Sequence, residues 1–185
     1  MTTLTIYPDK DPANPDLVTS DPAEIAAALN KVGVLFERWK AGAELAANAS
    51  HEDILAAYKA EVDRLSAAEG YQTIDVMRIT PDNPNKQAIR TKFLDEHTHD
   101  EDEVRFFVEG SGAFYLHLGD KVYQVVCTRD DLLSVPAGTM HWFDMGPEPN
   151  FTCIRLFISP DGWVANFTGD KIASTIPAFG ESVAA

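Results

Sequence analysis

The segment EHTHDEDEVRFFVEG, running from Glu96 to Gly110, sets two histidines one residue apart among six acidic residues, immediately before an apolar run. Burying an unpaired charge costs several kcal/mol, so such a cluster requires either open water or a cation. In an extended chain residues two apart face the same side, so His97 and His99 project together, and Glu103 and Arg105 share their parity. Parity alone does not select ligands, because the chain can bend at Asp100-Glu101-Asp102. A further donor comes from VPAGTMHWFDMG, where Pro136-Ala137-Gly138 makes a turn and His141 opens the next strand with Phe143 on its side. Two histidines and a carboxylate on one strand with a third histidine on a neighbour suit Fe, Ni, Zn, Mn or Co. Taken singly, each histidine is more often a surface or satisfied core residue. His51 and His117 receive that reading, and Asp100 and Glu101 are read as a solvated loop tip. The joint pattern, HxHxxxE followed by Gly110 and then PxGxxH, is what points to a metal.

Two kinds of element must position these groups. Asp21-Pro22-Ala23-Glu24 supplies an N-cap, a proline at the first helical position and an acid at the third. Apolar residues then recur at helical spacing through Ile25, Leu29, Val32 and Phe36, which predicts one helix over that whole stretch. Ser50 and Asp53 open a second helix, with Ile54, Leu55, Tyr58, Val62 and Leu65 on its apolar face and Gly70 as its stop. From Tyr71 the texture changes to short runs rich in Val, Ile, Phe and Tyr: YQTIDVMRI, VRFFVE, AFYLHL, KVYQVVCT, DLLSV, HWFDM and FTCIRLFIS. Leu118-Gly119-Asp120-Lys121 reads as a tight hairpin. The expectation is an α+β, mainly β domain covering 1–185. Residues 21–70 form its helical portion, 71–160 an antiparallel sandwich or barrel, and 161–185 a C-terminal tail.

Composition narrows the classes. A chain of 185 residues, 45% hydrophobic, suits one soluble domain with a substantial core. Fifteen basic against 29 acidic residues give a net charge of −14, which disfavours nucleic acid and anionic membranes and favours a monomer. No apolar run approaches the roughly 20 residues that span a bilayer, and the N-terminus lacks the pattern of a secretory signal. Cys127 and Cys153 lie in apolar runs and are read as buried free thiols of a cytoplasmic protein.

HTHDEDE, Gly110 and PAGTMH resemble the two motifs of the cupin superfamily, small antiparallel β-barrels (double-stranded β-helices, or jelly rolls) with metal inside. More narrowly, EHTHDEDEVRFFVEGSG and VPAGTMHWFDMG resemble the acireductone dioxygenase family of methionine salvage, and that resemblance extends over most of the chain, WVANFTG included. Three positions depart from the broad cupin pattern: Thr91 and Asp130 stand where it has glycine, and Met145 where it has asparagine. The resemblance implies that His97, His99, Glu103 and His141 bind one Fe(2+) or Ni(2+) ion. It implies cleavage of 1,2-dihydroxy-3-keto-5-methylthiopentene with O2. Iron would give 4-methylthio-2-oxobutanoate and formate; nickel would give 3-methylthiopropanoate, formate and carbon monoxide. Arg105 is expected to hold the doubly deprotonated substrate, since its parity matches Glu103 and its charge persists. Glu96 and Asp102, which flank the ligands, are implied in metal loading and in relaying local change by orienting the imidazoles. Phe93, Phe143 and Trp163 are candidates for an apolar wall around the methylthio tail. The alternatives are a zinc or manganese isomerase or decarboxylase on the same ligands, or a non-catalytic small-molecule-binding cupin.

Overall fold

A computed structural model describes residues 1–40, 45–46, 48–159 and 164–180. Strands β1 (Thr3–Pro8) and β2 (Leu17–Thr19) open the chain as an antiparallel pair. The Asp21 carboxylate accepts from the Ala23 and Glu24 N–H groups and starts α1 (Pro22–Asn30), as the sequence predicts. The helix does not continue through Val32 and Phe36. The chain turns at Gly33, whose φ is +79°, and Leu35–Arg38 becomes strand β3. Apolar residues four apart fit a helix equally well; what decides is the partner strand described below.

Ser50 and Asp53 form the expected reciprocal cap at the head of α2 (His51–Ala57). The predicted single helix is broken at Tyr58, whose φ and ψ are −106° and 11°, and resumes as α3 (Lys59–Glu69) before Gly70 ends it in the left-handed region. Strand β4 (Thr73–Ile79) follows. A further helix, α4 (Lys86–Leu94), lies inside the span expected to be all strand. The remaining strands are β5 (His97–Thr98), β6 (Glu103–Leu118), β7 (Lys121–Thr128), β8 (Asp131–Val135), β9 (Met140–Asp144), β10 (Phe151–Phe157) and β11 (Asn166–Phe167).

The expected runs VRFFVE and AFYLHL are one strand. The first half of β6 pairs antiparallel with β8 and β10 in one sheet, extended by β3 on β8 and β4 on β10. Its second half pairs with β7 and β9 in the other, extended by β1 and β2 on one side and β5 and β11 on the other. Thr152 faces Glu109 while Cys153 faces Phe107, so Val108 is an extra residue, a bulge that reverses which face each later side chain takes. Glu103, Arg105 and Phe107 therefore point inward before the bulge, and Phe114 and Leu116 point inward after it. At the bend, Gly110 has φ +71°, and a Cβ there would stand 1.7 Å from the Asn150 carbonyl oxygen. No other residue type fits.

Between the sheets lies the main core, which includes Leu4, Phe107, Phe114, Val125, Leu133, Phe143 and Phe151. α2 and α3 lay Ile54, Tyr58, Val62 and Leu65 on the outer face of the first sheet, against Val104, Phe106 and Ile154. The C-terminal segment covers the outer face of the second sheet, with Ile176 against Tyr115 and Trp142. This is the α+β antiparallel barrel with helices packed outside. Cys127 and Cys153 are buried free thiols inside it. No helix among the described residues is long and apolar enough to cross a membrane.

Candidate metal centre

His97 sits on β5 directly opposite His141 on β9. The chain then turns through residues 99–102 before Glu103 begins β6, so the ligands do not share one continuous strand. Two hydrogen bonds join the two sequence motifs across that turn. Gly138 N–H donates to the His99 carbonyl at 2.9 Å, and Ala137 N–H donates to Asp102 Oδ1 at 2.9 Å. As a result one donor atom from each of His97, His99, Glu103 and His141 lies within 4.8 Å of every other, and all four residues are buried.

The imidazoles are aimed by backbone carbonyls. Nδ1–H of His97 donates to Asp95 O at 2.8 Å, that of His141 to Thr139 O at 2.7 Å, and that of His99 to Val164 O at 2.8 Å. This fixes the proton on Nδ1 and turns each Nε2 lone pair toward the centre. Glu103 Oε2 lies 2.9 Å from His141 Nε2 and 3.1 Å from His99 Nε2. Lone pairs at that separation from a carboxylate oxygen repel unless a cation stands among them. Glu103 Oε1 has no aligned hydrogen-bond donor among the described residues, although Arg105 Nε approaches it as an ion pair at 2.8 Å. Three nitrogens and one oxygen, buried and converging, fit a divalent transition metal.

The electrostatics agree. Burial pushes His97 down to about 4, so it stays neutral and ready to coordinate. Burial opposes charge on His99 as well, but the hydrogen bond with Glu103 and the negative charge of that residue outweigh it and raise the imidazole. For Glu103 burial favours the neutral acid. The Arg105 charge reverses this, joined by His141 and His99 only when a proton sits on their Nε2 atoms, and holds the carboxyl well below its usual range. The site thus binds a proton where it would bind a metal.

Arg105 reaches the same cluster of donors, its side chain 3% exposed. Its guanidinium carbon lies 4.5 Å from the Phe143 ring centre, 5.3 Å from Phe114 and 5.8 Å from Phe93, within cation–π range of each. Phe114 is a ring that the sequence does not single out, because the bulge that turns it inward leaves no trace there. Gly112 stands where a Cβ would come within 2.4 Å of the Phe143 ring, so its lack of a side chain makes room for that ring. Trp163 lies outside the described residues.

The carboxylates of Glu96 and Asp102 meet other groups than the ligand imidazoles, which are held by the backbone carbonyls above. Glu96 is 1% exposed; its carboxylate accepts from Thr168 Oγ1 at 2.7 Å and pairs with His117 Nδ1 at 2.7 Å. His117 is thereby a satisfied histidine, as its sequence context suggests. Asp102 holds the turn that leads to His141. Glu101 is not a solvated tip: its Oε2 accepts from the Ile158 and Ser159 N–H groups at 2.7 and 2.9 Å, tying the ligand loop to the end of β10. Asp100 is exposed, and its carboxylate accepts from Asn166 Nδ2 at 3.1 Å.

An antiparallel barrel with three histidines and a glutamate converging inside it is the arrangement of a metal-binding cupin. Comparison with known proteins narrows the class: a family model described as the ARD/ARD' family matches residues 3–165. An acireductone dioxygenase of Parvibaculum lavamentivorans is 59% identical over 179 residues, covering 97% of each chain, and one of Citrobacter koseri is 58% identical over 177 residues, covering 96% of this chain and 98% of that one. The acireductone dioxygenase from Bacillus anthracis with cadmium ion in its active center superposes with a TM-score of 0.78 at 27% identity, covering 90% of this chain and 98% of that one. The chain belongs to the acireductone dioxygenase family.

Proposed function

We propose that this protein is a metal-dependent dioxygenase that cleaves 1,2-dihydroxy-3-keto-5-methylthiopentene with O2 as a cytoplasmic monomer in methionine salvage. With iron the products are 4-methylthio-2-oxobutanoate and formate. With nickel they are 3-methylthiopropanoate, formate and carbon monoxide. Both outcomes account for every atom of one substrate and one O2. The observation that carries the reading is the convergence of His97, His99, Glu103 and His141 beside the buried Arg105.

The fit of the donor set supports one Fe(2+) or Ni(2+) per chain on those four residues. Such an ion, when bound, supplies Lewis acidity toward two neighbouring substrate oxygens. The protein does the rest. Arg105, beside the aromatic rings, stabilises the dianionic enediolate, the electron-rich form that oxygen attacks. Phe93 and Phe143 flank the guanidinium and offer the methylthio tail an apolar surface. Burial of the cavity excludes water, which strengthens the Arg105 interaction with its anion.

The test is to strip the protein, reload it separately with Fe(II) and Ni(II), supply the acireductone under controlled oxygen, and identify products. Metal-dependent oxygen uptake with formate is expected, and carbon monoxide only with nickel. Turnover under strict anoxia would refute the reading in favour of an isomerase or decarboxylase.

A further inference from the structure

Helix α4 is held in place almost entirely from outside itself. It has nine residues, none of them buried, and Asn85 gives no side-chain cap. A helix that short is marginal on its own in water. Among the described residues, Ile89 and Phe93 pack on the main core, Lys86 Nζ pairs with Glu148, and Arg90 forks onto Asp144. The two ion pairs differ in kind. Glu148 is 67% exposed, and a pair of that sort contributes little. Asp144 is 1% exposed, and Arg90 meets it with two parallel bonds of 2.7 and 2.9 Å.

Asp144 is itself fixed. Its carboxylate also accepts from Gly146 N–H at 2.8 Å and Phe179 N–H at 3.1 Å. It closes β9, three residues beyond His141 and next to Phe143. One turn along α4 from Arg90 is Phe93, and residues three apart share a helix side. Among the described rings around Arg105, Phe114 and Phe143 stand on strands of the barrel, whereas Phe93 stands on a helix. Among the described rings of that wall, Phe93 is thus the one whose position depends on how a short helix is held.

We propose that Arg90 is a positioning residue. Through its fork on Asp144 it sets α4 so that Phe93 closes the apolar side of the Arg105 cavity, and it thereby governs affinity for the alkylthio tail of the substrate. The inference rests on the reading that the acireductone binds in this cavity. The reacting enediol end of the substrate belongs at the metal and Arg105, so a displaced Phe93 weakens tail binding without touching the bond-breaking end. That predicts a rise in KM with kcat retained.

The experiment compares wild type, Arg90→Gln, Arg90→Lys, Phe93→Ala and the Arg90→Gln/Phe93→Ala double variant, all full length and nickel-loaded. Hydrogen exchange across residues 86–94, bound nickel, kcat and KM are measured for each. In Arg90→Gln, α4 amides should exchange about tenfold faster or more, as expected when a buried charge-assisted pair is lost. Nickel content should stay at wild-type level, KM should rise about tenfold, and kcat should change little. Arg90→Lys should recover part of the KM, and Arg90→Gln should add nothing to the KM of Phe93→Ala. Unchanged exchange in α4, loss of nickel from Arg90→Gln, or additive KM effects in the double variant would each overturn the proposal. If wild type fails to consume the acireductone, the functional reading falls and the positioning role for that substrate falls with it. The exchange measurement still shows separately whether the Arg90 fork holds α4.

Discussion

Replacing Glu103 by glutamine removes one charge at the centre of the site while leaving its volume filled. The native carboxylate, 2% exposed, lies against His99, His141 and the buried Arg105 guanidinium. The variant has no cavity, so the loss is electrostatic: a buried cation left without its anion costs about 3–5 kcal/mol. For metal-stripped protein unfolding in urea with a slope of about 2 kcal/mol per molar, the midpoint should fall by about 2 M at pH 7. The pH dependence has a definite sign. Glu103 is depressed in the folded state, so its stabilisation is present above the unfolded carboxylate value near 4.3 and fades as pH falls toward the folded value. The gap between wild type and Glu103→Gln should therefore be widest near neutrality and shrink from about pH 4 downward. Bound metal should also be lost, by more than the 10–100-fold usual for groups that merely orient a ligand. Coincident urea midpoints at pH 7, or a gap that does not narrow in acid, would refute the assignment of Glu103 and Arg105 as a stabilising pair.

Four further outcomes concern the bend, a strained residue, the metal and the thiols. Gly110→Ala should abolish soluble folded protein or destabilise it by more than about 4 kcal/mol in denaturant melts, because the added Cβ meets the Asn150 carbonyl. Asp130→Gly should stabilise by about 1 kcal/mol, since Asp130 holds φ +76° with an L side chain; an unchanged melt would refute the strain. Metal affinity should decline with falling pH from above the ordinary imidazole range, because the raised His99 takes a proton that competes with the metal; chelator competition between pH 8 and 6 reads this. A disulfide reagent should find no reactive thiol in native protein and two after denaturation. Burial raises Cys153 to about 11 and Cys127 well above its usual value.

The ligand set was legible because metal chemistry restricts residue types and spacing together: two histidines, a glutamate and a turn ahead of a third histidine rarely coincide without an ion to hold. The head of α1 was equally legible, since Asp21 and Pro22 act locally. Its end was not. Val32 and Phe36 keep the helical spacing, and only pairing of β3 with β8, about a hundred residues on in sequence, turns Leu35–Arg38 into strand. Helix α4 leaves little mark in the sequence because it has no side-chain cap and no fully buried face. The long β6 reads as two strands since EGSG looks like a turn; here its glycines accommodate the Asn150 carbonyl and the Phe143 ring. Thr91 and Met145 leave the ligands untouched, and Asp130 simply adopts the left-handed backbone where the broader pattern has glycine. The orienting carbonyls of Asp95, Thr139 and Val164 are invisible in principle, since every residue carries one.

The carbonyl that aims His99 comes from Val164, and β11 seals the same edge by pairing with β5. During synthesis, then, the first two histidines leave the ribosome long before the support that orients one of them exists. A chain truncated before Val164 would carry all four donors yet lack the carbonyl that aims His99.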